Sequence, residues 1–117
     1  MRIEIIQSPT PLQELKRLAE ENYGDMVKGV VDVQRKILAL GGELHADGEA
    51  LLLEEGSQQE DLWGFNLYPE KPKDERIEFS SLINIRPSQG NTSMTIQDAR
   101  LKEDAKMIIE GFIKDDG

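Results

Sequence analysis

Hydrophobic positions recur along this chain at two spacings, and the switches between them divide it into strands and helices. Arg2 to Gln7 alternates, with Ile3 and Ile5 on one face and Glu4 and Ile6 on the other, which predicts a short strand ended by Ser8-Pro9-Thr10-Pro11. Thr10 is a good N-cap, Pro11 suits the first helical position, and Gln13 has capping-box spacing. A helix is expected from there to about Asn22, with Leu12, Leu15, Leu18 and Ala19 as its apolar stripe. Met26, Val30, Val33, Ile37 and Leu40 repeat at helical spacing behind Asp25, a potential cap. They predict a central helix from Met26 to Leu40 stopped by Gly41-Gly42. Val27, Val31 and Leu38 widen its apolar surface, a width that suits cover by both a sheet and a helix, or by a second subunit.

Three strands are predicted next: Glu43 to about Leu53, Leu62 to Tyr68, and Arg76 to Arg86. Their short connections favour an antiparallel meander. Trp63, Phe65 and Leu67 share one face of the second, and Ile77, Phe79, Ser81, Ile83 and Ile85 one face of the third. A last helix from about Asp98 to Lys114 offers Leu101, Ala105, Ile108 and Phe112 as a core stripe. The expected fold is α+β in the order β-α-α-β-β-β-α, with a mainly antiparallel meander sheet packing one face on helices. A single domain over residues 1–117 is expected, since this length supports one hydrophobic core.

Charge and composition narrow the function classes. A net charge of −9 opposes a phosphate backbone or an anionic membrane surface, so neither nucleic acid nor membrane is expected as a partner. The chain has no cysteine, which removes thiol catalysis and zinc-thiolate sites and suits a reducing, cytoplasmic setting. The N-terminal apolar run is too short for a signal peptide, and no stretch has the length of a membrane span. Asp25, Lys28, Asp32 and Lys36 have the spacing of ion-pair ladders on the predicted central helix.

Two groups of residues could carry chemistry. His45 is the only histidine and the natural general acid or base, and alternation along the predicted strand sets Glu43 and Asp47 on its face as partners. No nucleophile elbow accompanies it, so a small hydrolase using His45 is the alternative reading rather than the leading one. The leading reading is an acidic cytosolic binding or interaction module. Its anion-accepting loop is Pro87-Ser88-Gln89-Gly90-Asn91-Thr92-Ser93, with Arg86 as a planar fork for a carboxylate or phosphate. Asn84, Gln89, Asn91 and Ser93 add hydrogen bonds. Its expected partners are a small anion, a protein or a second copy in a homodimer; a purely structural oligomer subunit is the third reading.

No cofactor is expected: Gly41-Gly42 follows a predicted helix and enters a strand, the reverse of a phosphate cradle. No metal is expected either, because the acidic turn Glu54 to Asp61 lacks the alternating ligands of a calcium loop.

The combination of Tyr23-Gly24-Asp25-Met26-Val27-Lys28, Gly42-Glu43-Leu44-His45-Ala46-Asp47, Asp61-Leu62-Trp63-Gly64 and Asn84-Ile85-Arg86-Pro87 with Gly90-Asn91 resembles a small family of prokaryotic proteins of unknown function. The resemblance runs from about Asn22 to Asp98. It implies a complete domain and brings no activity or catalytic residues with it.

Overall fold

The computed structural model describes residues 2–115. The first strand, β1 (Ile3–Ile6), leads through a two-residue strand, β2 (Thr10–Pro11), into α1 (Leu12–Glu21). A hairpin of β3 (Val27–Asp32) and β4 (Ile37–Gly41) follows, then α2 (His45–Glu54), β5 (Leu62–Leu67) and a two-residue β6 (Ile77–Glu78). Short 3-10 turns at Leu82–Asn84 and Pro87–Gln89 precede α3 (Ala99–Gly111) and β7 (Ile113–Lys114). Among the described residues, one five-stranded sheet has the order β1-β4-β3-β5-β6 with every pair antiparallel. The short β2 and β7 pair in parallel beside it.

This is the expected α+β class and a mainly antiparallel sheet on helices, with three internal corrections. The segment predicted as a central helix, Met26 to Leu40, is the β3-β4 hairpin. The segment predicted as its neighbouring strand, Glu43 to Leu53, contains α2. The predicted strand Arg76 to Arg86 stops after Glu78.

Helices cover both faces of the sheet, and that explains the first two corrections. Val27, Val31, Leu38, Leu40, Trp63, Phe65 and Leu67 pack with Leu15 and Leu18 of α1 and Ala105 and Ile109 of α3. On the opposite face Val30, Ala39 and Leu62 pack with Leu52 of α2. A strand buried on both faces is apolar at successive positions, so helical spacing can be picked out of it by coincidence. The wide stripe that suggested a second subunit is therefore interior, and the sheet face expected to lie open is the one α2 covers.

The hairpin turns at Asp32, whose buried Oδ1 accepts the amides of Gln34 at 2.9 Å and Arg35 at 2.8 Å. Lys36 completes the turn in the left-handed region at φ 56°. The Asp25 to Lys36 ion-pair ladder accordingly does not exist. Gly41 and Gly42, with φ of 114° and 93°, end a strand rather than a helix. Inside α2, Gly48 lets the helix lie close to the sheet: a Cβ there would sit 3.2 Å from a methyl of Val30 and 3.5 Å from Cβ of Ala39.

The helices expected at either end are present. Asp98 caps α3 by accepting the amides of Arg100 and Leu101 at 3.0 and 3.2 Å. Thr10 does not cap α1: its hydroxyl donates to the carbonyl of Ser8, and Pro11 occupies the cap position.

Candidate functional site

A cleft of about 340 Å³ opens where the N-terminus of α2 meets the outer edge of the sheet. Lys28 of β3, His45 at the start of α2, Asn66 of β5 and Ser80 just after β6 contribute its polar groups. Leu44, Leu82 and Met94 form an apolar rim and are 57 %, 74 % and 40 % exposed, unusual for side chains of this size.

His45 is held by one edge of its ring. Its Nε2 lies 2.9 Å from the carbonyl oxygen of Phe65 and 2.9 Å from Oδ1 of Asn66. The amide of Asn66 is oriented in turn by Glu78, because Nδ2 donates to Oε1 of that carboxylate at 3.0 Å and an ionised carboxylate only accepts. Asn66 must then present its oxygen to the imidazole, so Nε2 carries the proton and donates, and Nδ1 keeps the lone pair. Tyr68 steadies the far end of this relay by donating its hydroxyl to the same Glu78 oxygen at 3.3 Å.

Partial burial pushes the His45 pKa below its ordinary 6.5, and the nearby Lys28 charge acts in the same direction. The hydrogen bonds to Phe65 and Asn66 oppose that shift without reversing it. The lowered pKa favours the uncharged ring. Lys28 forms no ion pair among the described residues, and its ammonium stands 5.3 Å from the centre of the Tyr23 ring. The cleft thus holds an ammonium that forms no ion pair among the described residues, with the Glu78 carboxylate set back behind Asn66 and the imidazole beside it.

Glu43 and Asp47 do not orient His45, contrary to the strand-based expectation. The Asp47 carboxylate accepts the amide of Leu44 at 3.0 Å and closes the first turn of α2. Glu43 is exposed, and its backbone carbonyl accepts the Tyr23 hydroxyl at 2.6 Å. Of the residues that do meet His45, Phe65 was visible in the sequence only as a core residue and Asn66 only as a position between Phe65 and Leu67 on the predicted strand.

The other predicted group, Asn84, Arg86, Gln89, Asn91 and Ser93, is brought together, as a knot of internal hydrogen bonds at the other end of β5. Asn84 is fully buried: Oδ1 accepts the Gly64 amide at 2.8 Å, and Nδ2 donates to the carbonyls of Gly64 at 3.0 Å and Met94 at 2.9 Å. Arg86 is 9 % exposed and stacks 4.2 Å from the centre of the Trp63 ring. Its guanidinium donates to the carbonyls of Ile83, Gln59 and Leu62 and to Oε1 of Gln89. Asn91 donates to the carbonyls of Asn84, Ser93 and Thr95 and accepts the Gln97 amide, while Ser93 Oγ accepts the Thr95 amide. These side chains replace a neighbouring strand along β5, which is why the predicted strand ends early. An anion at Arg86 would have to displace protein carbonyls from nearly all of its donors.

An antiparallel sheet between helices, with a single-histidine cleft at its edge, defines a small α+β domain with a ligand-sized site. The chain belongs to the family described as Protein of unknown function (DUF5674), which matches residues 4–112. The match extends beyond the residues that carried the resemblance and takes in all three helices. Comparison with curated proteins and with solved structures finds no match for the chain.

Proposed function

We propose that the domain is a binding module whose site is the His45 cleft, and that its ligand is a small organic anion with an apolar body. The observation that carries this reading is the meeting, in one cleft, of an ammonium without an ion pair among the described residues, an oriented imidazole and an exposed apolar rim. The volume lies at the lower end of the range of small-molecule sites, roughly 300–1,000 Å³. The expected anion is retained from the sequence; its site moves from the Arg86 loop, whose donors are occupied, to Lys28.

The test is a thermal-unfolding series with straight-chain carboxylates from acetate to octanoate. The transition should rise with chain length, and Lys28→Met should abolish the rise. A flat series, or one unchanged by Lys28→Met, refutes the reading.

An acid-base enzyme is the second reading, favoured by the lone pair that the Asn66 and Glu78 relay leaves on Nδ1 of His45. It would use that relay in place of Glu43 or Asp47, and ester hydrolysis unaffected by His45→Gln would remove it. Homodimerisation and a structural role lose the argument from the apolar stripe, which is interior; concentration-dependent sedimentation would restore them. Among the described residues no helix is long and apolar enough to cross a membrane. A cytoplasmic setting is retained as part of this proposal, on the cysteine-free composition, and cell fractionation tests it.

A further inference from the structure

The His45 relay has a consequence for which anions the cleft would prefer. A histidine free to exchange tautomers can donate to or accept from a ligand at the same nitrogen. Here Nε2 is committed as a donor to two oxygens of β5, and the carboxylate of Glu78 prevents the Asn66 amide from turning over. Nδ1 has no hydrogen-bond partner among the described residues, and the ring lines the cleft. Whatever meets Nδ1 must bring a proton, while Lys28 favours a negative charge nearby.

We infer that the cleft selects organic acids that carry a neutral hydrogen-bond donor beside the acid group, with 2-hydroxy acids as the simplest class. The carboxylate faces Lys28, the hydroxyl donates to Nδ1 of His45, and the alkyl body lies on Leu44, Leu82 and Met94. In this arrangement His45 is a specificity residue, and Asn66 and Glu78 are positioning residues that act through it. The inference rests on the anion-binding reading of the same cleft, and the measurement separates the two.

The probes are hexanoate and 2-hydroxyhexanoate, titrated calorimetrically into the wild-type protein. The hydroxy acid should bind roughly three- to tenfold more tightly, the worth of one hydrogen bond. His45→Phe, which keeps an aromatic ring and loses the acceptor, should bring that ratio to about one. Equal affinity of both probes in the wild type overturns the inference and leaves the anion cleft standing; binding of neither overturns both.

A second readout needs no ligand. With one histidine in the chain, its nitrogen chemical shifts report the tautomer directly. A proton on Nε2 and none on Nδ1 at pH 7.5 supports the inference, and Glu78→Gln, which can offer Asn66 either edge of its amide, should shift the Nε2 resonance without moving the proton, because the Phe65 carbonyl only accepts. A proton on Nδ1 in the wild type overturns it.

Discussion

Replacing Asn84 with alanine distinguishes a structural role for the 84–93 segment from a ligand-binding one. The side chain is fully buried and serves both backbone groups of Gly64 on the edge of β5 as a strand partner would. Its third partner, the Met94 carbonyl, also accepts the Ser81 amide at 3.1 Å and so keeps one partner in the variant. The loss therefore falls on the amide and carbonyl of Gly64, each left unpaired at about 1–3 kcal/mol. A total of about 2–6 kcal/mol is a large share of the roughly 5–15 kcal/mol typical of a domain. With a urea m-value on the order of 1.5 kcal/mol/M, a loss of about 3 kcal/mol lowers the unfolding midpoint by about 2 M. Asn84→Asp provides an internal check. It retains an acceptor for the Gly64 amide but turns a second oxygen toward two carbonyls, so it should be at least as unstable as alanine at pH 7. Protonation restores a donor, so it should recover relative to alanine as the pH falls through the raised pKa of the new carboxyl. An alanine variant whose midpoint stays within about 0.3 M of wild type would refute this account and return the loop to candidacy as a ligand site.

Three further outcomes follow from single positions. Lys36 holds a left-handed conformation at the hairpin turn, so Lys36→Gly should be neutral or stabilising by about 0.5 kcal/mol, whereas Lys36→Val should cost about 1–2 kcal/mol; thermal unfolding ranks them. Burial, with help from Asp32 and Glu60, raises the Asp61 pKa above its ordinary 3.8, so the folded chain holds that proton more tightly than the unfolded one and loses stability as the pH rises through the interval. Asp61→Asn should therefore stabilise at pH 7 and give no gain near pH 3 in urea titrations. For His45 the sign is opposite: its depressed pKa means that the unfolded chain takes up a proton first, so its contribution is complete above about pH 6.5 and declines as the pH falls below it. The stability of wild type relative to His45→Gln should fall between pH 7.5 and 5.5, and a constant difference would contradict the burial of a neutral ring.

The elements legible in the sequence are those whose bulkiest apolar residues gather on one face. Helices α1 and α3 each present one stripe to the sheet, and their periods can be read directly. β5 is legible through its bulky alternate residues Trp63, Phe65 and Leu67. The hairpin fails that test because it lies between two layers of helix. Val27, Val30, Val31 and Val33 are β-branched and favour strand, but no Gly, Pro or Asn marks the turn; Asp32 and a lysine in the left-handed region make it instead. In α2 the interior Gly48 and a narrow buried face at Gly48 and Leu52 conceal the helical period, so the segment reads as an alternating strand.

The site was less legible than the fold for a related reason. His45 stands out by being alone, but the groups that define its chemistry come from three strands far apart in sequence: Lys28, Asn66 and Glu78. Asn66 has little meaning as a lone amide in a strand. It acquires one only when Glu78, opposite it in the β5-β6 pairing, fixes which edge of the amide faces the imidazole. Arg86 carried the stronger chemical signal, a guanidinium in a loop of small polar residues, and that signal has a second cause. A strand edge that loses its neighbour needs donors and acceptors in a small space; Asn84 and Arg86 supply them, and Asn91 holds the loop that carries both. Polar density in this loop is what closing the edge of β5 requires, whereas the ammonium of Lys28 stays open to a ligand because it forms no ion pair among the described residues.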